Sequence, residues 1–159
     1  MNNRKPTRGG FTLVEILLVI AIIGILTGVL IFAMGGTQDK AKKDSTALLI
    51  GQVSSALERY MLHIGHFPSE DEGGLSALTK KPSYTEEKLA DKWAGPYLEV
   101  TPTDPWGNDL GYQITEPGSE EAQTVPFKIW SFGPNGTDDN GADDDIKNKA
   151  WEQSEEADM

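Results

Sequence analysis

The feature that most constrains this chain is an uninterrupted apolar segment near its N-terminus, residues 11–33, whose only charged residue is Glu15. As a helix, the segment would extend roughly 34 Å, compared with about 30 Å for the hydrocarbon core of a bilayer. A helix buried in the core of a globular domain normally shows a polar face, and this segment has none. It must therefore lie in lipid, belong to a cleaved signal, or be covered on all sides within an assembly.

The flanks of the apolar segment distinguish these possibilities. A secretory signal peptide has an apolar stretch of about 7–15 residues followed by small residues at the cleavage site. Here the apolar stretch is longer, and the small residues Gly9 and Gly10 precede it. The pattern predicts cleavage between Gly10 and Phe11, which removes a leader (residues 1–10) and keeps a transmembrane and assembly helix (residues 11–34).

The leader is basic. It carries three basic residues and no acidic residue, so its removal changes the formal net charge from −11 to −14. Positive charge flanking an apolar helix stays on the cytoplasmic side of a membrane. We therefore expect a single-pass membrane protein whose N-terminus is cytoplasmic and whose globular part lies on the opposite side of the membrane.

Glu15 is costly within a membrane helix, by about 2.5–3.5 kcal/mol at the helix centre and less near an end. One interpretation is that Glu15 lies about a turn from the interface and reaches water. The other is that it pairs with a cation during assembly. Cleavage after Gly10 creates such a cation, the new α-amino group of Phe11. In a bundle of staggered identical helices, the amine of one subunit would neutralise Glu15 of its neighbour and set the axial register.

The residues Arg8-Gly9-Gly10 followed by FTLVEILLVIAIIG resemble the class III signal of type IV pilins and pseudopilins. The resemblance implies that a membrane-embedded aspartyl prepilin peptidase cuts after Gly10 and then methylates the amino group of Phe11. The glutamate that this family carries five residues after the cut corresponds to Glu15.

The remainder of the chain has the pattern of an α+β domain. Apolar residues recur with a helical period up to Ile64, which predicts one long helix that is amphipathic in its second half and ends near Gly65. A short helical stretch is predicted at Gly74–Leu78, and residues 80–92 are predicted to form a loop that can include one helical turn. Short strands separated by Pro, Gly and Asn turns predict a small antiparallel sheet against which the helix packs; the strands are residues 97–100, 110–115 and 127–132. The periplasmic domain is expected to span residues 35–146, followed by an acidic flexible tail, residues 147–159, in which only Trp151 docks.

Three blocks of this domain, GHFPSEDEGGLSAL, GPYLEVTPTDPWGNDLGY and SFGPNG with the later DDDI, resemble the major pseudopilins of type II secretion systems. The resemblance covers most of residues 8–146. It implies a structural subunit that assembles with its own copies into a helical periplasmic filament and drives protein export across the outer membrane. The implied partners are prepilin peptidase, minor pseudopilins and the inner-membrane secretion platform. Within the second block, residues 104–108 (DPWGN) are interpreted as a conformational turn.

The loop at residues 133–146, GPNGTDDNGADDDI, has five carboxylates within eight residues and no basic residue. Calcium takes about six to eight oxygen ligands from carboxylates, carbonyls and amides, and the loop offers all three types. The spacing does not match an EF-hand. From composition alone, a calcium site and a solvated acidic loop remain equally open.

The resemblance to major pseudopilins implies a structural calcium ion in this loop. Carried over by position, the side-chain ligands are Asn135, Asp144 and Asp145, and the backbone carbonyls come from Phe132 and Thr137, with Ala142 as a further candidate. The family usually has aspartate where this chain has Asn135. Asp138, Asp139 or Asp143 is a possible substitute ligand.

Several classes of function are excluded or disfavoured. The absence of cysteine excludes disulfides, thiolate zinc sites and cysteine nucleophiles. The acidic balance is unsuited to nucleic acid. No hydrolase, metalloprotease or P-loop motif is present, so we do not expect an enzyme. His63 and His66 are interpreted as packing or surface histidines. Two alternatives remain open, a type IV pilin or competence pseudopilin subunit and a monomeric membrane-anchored calcium-binding module.

Overall fold

The computed structural model describes residues 11–157, and for residues 30–37 it describes only the backbone. The chain divides into two compact units after Lys40, whereas composition placed the boundary between residues 34 and 35. Helix α1 extends over Leu13–Ile64 and contributes to both units. The leader, residues 1–10, with the predicted cleavage position at Gly10, lies outside the described residues.

In the first unit, the large apolar side chains of α1 are exposed along its whole described length. Leu13 is 76% exposed, Leu18 61% and Val29 64%. Isolated soluble proteins rarely expose a continuous apolar surface of this extent. Among the residues that the structure describes, no helix combines the length and the apolar composition required to cross a membrane.

In the second unit, α1 presents one apolar face to the core. The buried positions Ile50, Val53, Leu57, Tyr60 and Ile64 follow the alternating spacing of three and four residues that places side chains on one side of a helix. The helix ends at Ile64 as predicted. The next residue, a glycine with φ of 102°, is left-handed, and its N–H donates a 2.8 Å hydrogen bond to the Met61 carbonyl, which closes the last turn.

A three-stranded antiparallel sheet completes the α+β fold, in the order β1 (Gly111–Ile114), β2 (Phe127–Ser131) and β3 (Ile146–Lys147). The predicted strands at 110–115 and 127–132 are confirmed as β1 and β2. The strand predicted at 97–100 is wrong. There the amides of Tyr97 and Leu98 both donate to the Leu78 carbonyl, at 2.7 and 3.1 Å, instead of pairing with a neighbouring strand.

The short helices connect these elements. A 3₁₀ helix at Gly74–Leu78 is confirmed, and α2 (Glu87–Lys92) forms within the predicted loop at 80–92. Helix α3 (Glu121–Thr124) precedes β2, and α4 (Lys149–Ala157) follows β3. The main core is formed by α1 and by side chains from the 3₁₀ helix, β1 and β2; it includes Leu75, Leu78, Leu110, Phe127 and Ile129.

The C-terminal residues differ most from prediction. The segment predicted to be a flexible tail from residue 147 instead forms the end of β3 and helix α4. The exception that we made for Trp151 agrees with the structure, because this side chain is 9% exposed and packs with Val125 and Trp130 in a second apolar cluster. Burial of one indole provides a large apolar contact for a helix that is otherwise polar.

Candidate functional site: the acidic loop and the start of helix α1

The acidic loop (residues 133–145) leaves β2 and folds back on itself before β3. Gly133 has φ of 62°, and a Cβ atom at this position would overlap the backbone of Asp144. The two ends of the loop therefore approach more closely than any residue with a side chain permits. Four further loop residues also have positive φ: Gly136, Asn140, Gly141 and Asp143.

Three carboxylates of the acidic loop converge. Asp139, Asp144 and Asp145 each offer one oxygen, and these oxygens lie within 4.8 Å of one another. The predicted pair Asp144 and Asp145 is thus joined by Asp139, one of the possible substitutes. Asp138 has a different role, because its Oδ1 accepts hydrogen bonds from Trp130 Nε1 at 2.8 Å and from the Asn140 amide at 3.0 Å.

Asp145 differs from the other members of this carboxylate cluster (Asp139, Asp144 and Asp145) in having a buried oxygen without a hydrogen-bond partner among the described residues. Its Oδ2 accepts hydrogen bonds from the amides of Gly141 at 2.8 Å and Asp139 at 3.2 Å. Its Oδ1 is buried and has no hydrogen-bond partner among the described residues. Burial raises the pKa of Asp145; the two amide hydrogen bonds oppose this effect, and the carboxylates of Asp139 and Asp138 add to it. A cation beside Oδ1 would supply the missing partner.

Asn135 faces the carboxylate cluster with its amide nitrogen. Nδ2 donates to Asp144 Oδ1 and, at 3.2 Å, to Asp139 Oδ2, while Oδ1 accepts from the Thr137 amide at 2.5 Å. A ligand role would require the amide to rotate so that Oδ1 faces the ion, because an NH₂ group cannot coordinate a cation.

The two residues predicted to supply carbonyl ligands lie at the edge of this arrangement. Phe132 packs its ring against the apolar cluster of Trp130 and Trp151. Thr137 is exposed and directs its N–H toward Asn135. The described contacts do not join either carbonyl oxygen to the carboxylate cluster. The two histidines lie elsewhere, His63 Nδ1 at 3.0 Å from the Tyr97 hydroxyl and His66 Nε2 at 2.9 Å from Glu72 Oε1.

A buried carboxylate that sequence reasoning assigned only to a turn supports the base of the acidic loop. Asp104 is 4% exposed and accepts a hydrogen bond of 2.7 Å from Ser131 Oγ. Ser131 Oγ in turn accepts one from the Gly133 amide at 3.2 Å. The signal available in the sequence was the DPWGN motif itself, but nothing in it indicates a contact with residues 131–133.

At the start of α1, Glu15 forms a capping box with Thr12. Glu15 Oε2 accepts hydrogen bonds from the Thr12 amide at 2.8 Å and from Thr12 Oγ1 at 3.0 Å, and Thr12 Oγ1 accepts one from the Glu15 amide at 3.2 Å. This arrangement satisfies helix N–H groups that would otherwise lack acceptors. A carboxylate has roughly four acceptor positions, so the box does not use up the capacity of Glu15 to bind an amine.

Comparison with known proteins places this chain in a family. The family described as "Type II secretion system (T2SS), protein G" matches residues 33–149, and the "Prokaryotic N-terminal methylation motif" matches residues 5–31. A type II secretion system core protein G of Klebsiella michiganensis is 38% identical over 91% of this chain and 95% of its own length. The core protein G of Pseudomonas aeruginosa is 35% identical over 94% of this chain and 99% of its own length.

A solved structure agrees with these sequence comparisons. The crystal structure of the major pseudopilin from the type 2 secretion system of enterohaemorrhagic Escherichia coli superposes with a TM-score of 0.50 at 32% identity. It covers 71% of this chain and 90% of that one. The resemblance drawn from the sequence blocks is therefore confirmed. The chain belongs to the type II secretion system protein G family, whose members are structural pseudopilin subunits and not enzymes.

Proposed function

We propose that this protein is the filament-forming subunit of a type II secretion pseudopilus. It is anchored in the inner membrane by residues 11–33, cut between Gly10 and Phe11, and methylated on Phe11. Copies then assemble into a periplasmic filament whose growth drives export across the outer membrane. The proposal rests on one observation. The N-terminal methylation motif, residues 5–31, overlaps the start of α1, whose apolar side chains are exposed in the single chain.

The exposed apolar helix supports both the anchored and the assembled state. Full burial of one Leu, Ile or Val side chain contributes about 1.5–3 kcal/mol, so a surface extending from Phe11 to Val29 cannot remain in water. Lipid covers this surface before assembly, and neighbouring copies cover it in the filament. Close helix contacts are favoured by Gly24 and Gly28, a small-x-x-x-small pair with no neighbouring atoms within 4 Å of a Cβ built at either position.

Processing and assembly require partners. A membrane-embedded prepilin peptidase would act at Gly10 and Phe11, and the new α-amino group would pair with Glu15 of an adjacent copy. Minor pseudopilins and an inner-membrane platform would take part in assembly, and a separate cytoplasmic ATPase would drive filament growth. The type IV pilin and competence alternatives are disfavoured, because the matching family and the curated relatives are those of type II secretion.

The test is co-expression with a prepilin peptidase, followed by intact-mass measurement and by complementation of a secretion-deficient strain. We expect loss of residues 1–10, gain of one methyl group on Phe11, and restored export. Gly10→Val should block cleavage and export, whereas Gly9→Ala serves as the matched control and should be processed normally. An intact leader in the presence of active peptidase, or full export by an uncleaved variant, would contradict the proposal.

We also propose that the acidic loop binds a structural calcium ion. Asp139, Asp144 and Asp145 would hold it, together with Oδ1 of Asn135 after amide rotation and the carbonyls of Phe132 and Thr137. Support comes from the convergence of the three carboxylates and from the buried, unpartnered Oδ1 of Asp145. Bound calcium would neutralise the mutual repulsion of the carboxylates and hold the loop in its folded path.

Thermal unfolding of the full-length protein in detergent micelles tests the calcium proposal. Calcium should raise the melting temperature above its value in chelator, whereas magnesium at the same concentration should have little effect because it demands a tighter octahedral site. Asp145→Asn should abolish the calcium-dependent shift. Asp143→Asn removes a charge from the same loop outside the carboxylate cluster and should keep the shift. Equal melting temperatures with calcium and with chelator would exclude the site.

A further inference from the structure

We infer that Trp151, on the C-terminal helix α4, is a positioning residue for the acidic loop: its indole holds Gly141 in place and thereby orients the carboxylate of Asp145. The expected effect of Trp151 on the order of the acidic loop is argued only from the contacts described below. The effect on cation affinity rests on the calcium site proposed above.

The first observation is the packing of Trp151 against the loop. A Cβ atom built on Gly141 would overlap the six-membered ring of the Trp151 indole, so the ring lies directly on the Gly141 backbone. Gly141 has φ of 81°, a conformation that other residues rarely adopt. The loop path at Gly141 is therefore shaped to the face of this indole.

The second observation is the hydrogen bond between the Gly141 amide and the carboxylate of Asp145. The Gly141 amide donates the 2.8 Å hydrogen bond to Asp145 Oδ2, the shorter of the two amide contacts that this oxygen accepts. With Oδ2 bound in this way, the buried Oδ1 of Asp145 is left for another partner. A shift of Gly141 would therefore rotate or release the carboxylate of Asp145.

The position of Trp151 is set by β2 and not by the loop. Asn148, which is buried at the end of β3, accepts a hydrogen bond from the Ile129 amide at 3.1 Å and donates one to the Phe127 carbonyl at 3.3 Å. Its own carbonyl accepts from the Trp151 amide, which starts α4. Trp151 then meets Trp130 of β2 edge-to-face, with ring centroids 5.8 Å apart.

The indole pair (Trp130 and Trp151) thus holds the loop at two points. Trp130 Nε1 donates to Asp138 Oδ1 at 2.8 Å, and Trp151 packs on Gly141 three residues later. The loop between these points contains Asp139, the third member of the carboxylate cluster. Support from outside the ligand set commonly governs how well a metal site is formed.

Two lysines stabilise the docked indole and remain apart from the carboxylate cluster. The Nζ atoms of Lys128 and Lys147 lie 5.0 and 5.2 Å from the centre of the Trp151 ring system. Their ion pairs are formed with Glu121 and with Glu155 of α4. In the described part of the chain, no salt bridge joins a lysine or arginine to Asp139, Asp144 or Asp145. The cluster thus retains its negative charge for an added cation.

Hydrogen exchange of the full-length protein in detergent micelles, with chelator present, tests the positioning role without any ion. Trp151→Leu should cause loss of protection at the Asp139 and Gly141 amides while β1 and β2 stay protected. Trp151→Phe keeps an aromatic ring and should restore part of the protection. The matched control is Trp93→Leu, which removes a half-buried indole that packs on the main core and donates to the Ala77 carbonyl, and it should leave the loop amides unchanged. Unchanged loop protection in Trp151→Leu, or equal loss in both variants, would overturn the inference.

A second pair of variants covers the case in which Trp151→Leu fails to fold. Gly141→Ala forces a methyl group into the indole, whereas Gly136→Ala introduces the same substitution within the acidic loop at a φ of 68°, where the nearest atoms, on the Asn108 side chain, lie 3.7 Å away. Gly141→Ala should free the amides of residues 139 and 141, and Gly136→Ala should leave their protection unchanged. If Gly136→Ala frees these amides as well, or if Gly141→Ala leaves them protected, the indole does not position the loop.

The calcium arm uses calorimetric titration of the same proteins with CaCl₂. We expect Trp151→Leu to bind calcium about 10-fold or more weakly than the unmodified protein, the range found when supporting residues of metal sites are removed. If the unmodified protein binds no calcium, the calcium proposal fails and the exchange measurements alone decide the positioning role. If the unmodified protein and Trp151→Leu bind calcium equally well, the calcium proposal is supported and the role of Trp151 in cation binding is overturned.

Discussion

Ser131 Oγ donates a 2.7 Å hydrogen bond to Oδ2 of Asp104, a residue 27 positions earlier in the chain, and both side chains are buried. The other oxygen of Asp104 accepts from the amides of Trp106 at 3.0 Å and Asn108 at 2.8 Å. The carboxylate therefore joins the turn at residues 104–108 to the end of β2, from which the acidic loop departs.

Removal of this carboxylate should be strongly destabilising. Asp104→Ala leaves four donors without their acceptor, the buried Ser131 hydroxyl, the Trp106 amide, and the backbone amide and Nδ2 of Asn108, and we expect the free energy of unfolding to fall by about 3 kcal/mol. Ser131→Ala removes one of these bonds together with the acceptor of the Gly133 amide, and should cost about 1–2 kcal/mol. Urea unfolding of the full-length protein in micelles, followed by tryptophan fluorescence, provides the measurement. Asp109→Asn, an exposed carboxylate in the same segment, is the control; a similar small effect at both aspartates would show that Asp104 does not support the fold.

Asn135→Asp should change the protein in opposite directions with and without calcium. The substitution replaces two N–H contacts to Asp139 and Asp144 with a fourth negative charge. Repulsion should lower the melting temperature in chelator, and the additional anionic ligand should enlarge the rise produced by calcium. Gln153→Glu adds the same charge on α4, outside the loop, and should change neither quantity appreciably. A calcium response no larger than that of the unmodified protein would remove Asn135 from the ligand set.

Local sequence patterns accounted for most of the secondary structure. The end of α1 could be predicted because the helical period of apolar residues stops at Ile64 and a left-handed glycine follows. Strand β3 could not be predicted, because a two-residue strand is too short to show a periodic pattern. Its pairing with β2 forms only once the domain has folded. Helix α4 is polar apart from Trp151, so its order depends on a cluster formed by residues far away in sequence.

Some features of the candidate site could likewise be predicted from the sequence, whereas others depend on the fold. The composition of the acidic loop left a calcium site and a solvated loop equally open, and only the resemblance to major pseudopilins implied calcium. Five aspartates were available, and the sequence did not reveal which of them converge. Which aspartates converge depends on two contacts between residues distant in the chain. Gly133 packs closely against the backbone of Asp144, and Asp138 accepts a hydrogen bond from Trp130 Nε1 outside the carboxylate cluster. The Thr12–Glu15 capping box, by contrast, is a local T-x-x-E pattern that was present in the sequence and was missed.

The tyrosines of the core should make the fold sensitive to alkaline pH. Burial raises the pKa of Tyr60, and hydrogen bonding to Tyr84 and the nearby charge of Glu72 raise it further; burial also raises the pKa of Tyr112. Because the folded state holds these protons more tightly than the unfolded chain, the associated stability is complete below about pH 10 and is lost as the pH rises above it. Melting temperature against pH, with phenolate absorbance recorded in parallel, gives the measurement. Tyr60→Phe should reduce the alkaline slope, and a slope unchanged from the unmodified protein would show that Tyr60 titrates normally.

The two roles of Glu15 can be separated by substitution. Glu15→Gln keeps a side chain able to accept from Thr12 but removes the negative charge, whereas Thr12→Ala removes the cap and keeps the charge. If Glu15 pairs with the α-amino group of Phe11 in a neighbouring copy, Glu15→Gln should fold and be processed normally yet assemble poorly. Thr12→Ala should assemble nearly as well as the unmodified protein. Cleavage and methylation are followed by mass spectrometry and filament yield by sedimentation of sheared cells. Normal filament yield from Glu15→Gln together with a loss in Thr12→Ala would assign Glu15 to helix capping alone, because the charge would then have no part in the contact between subunits.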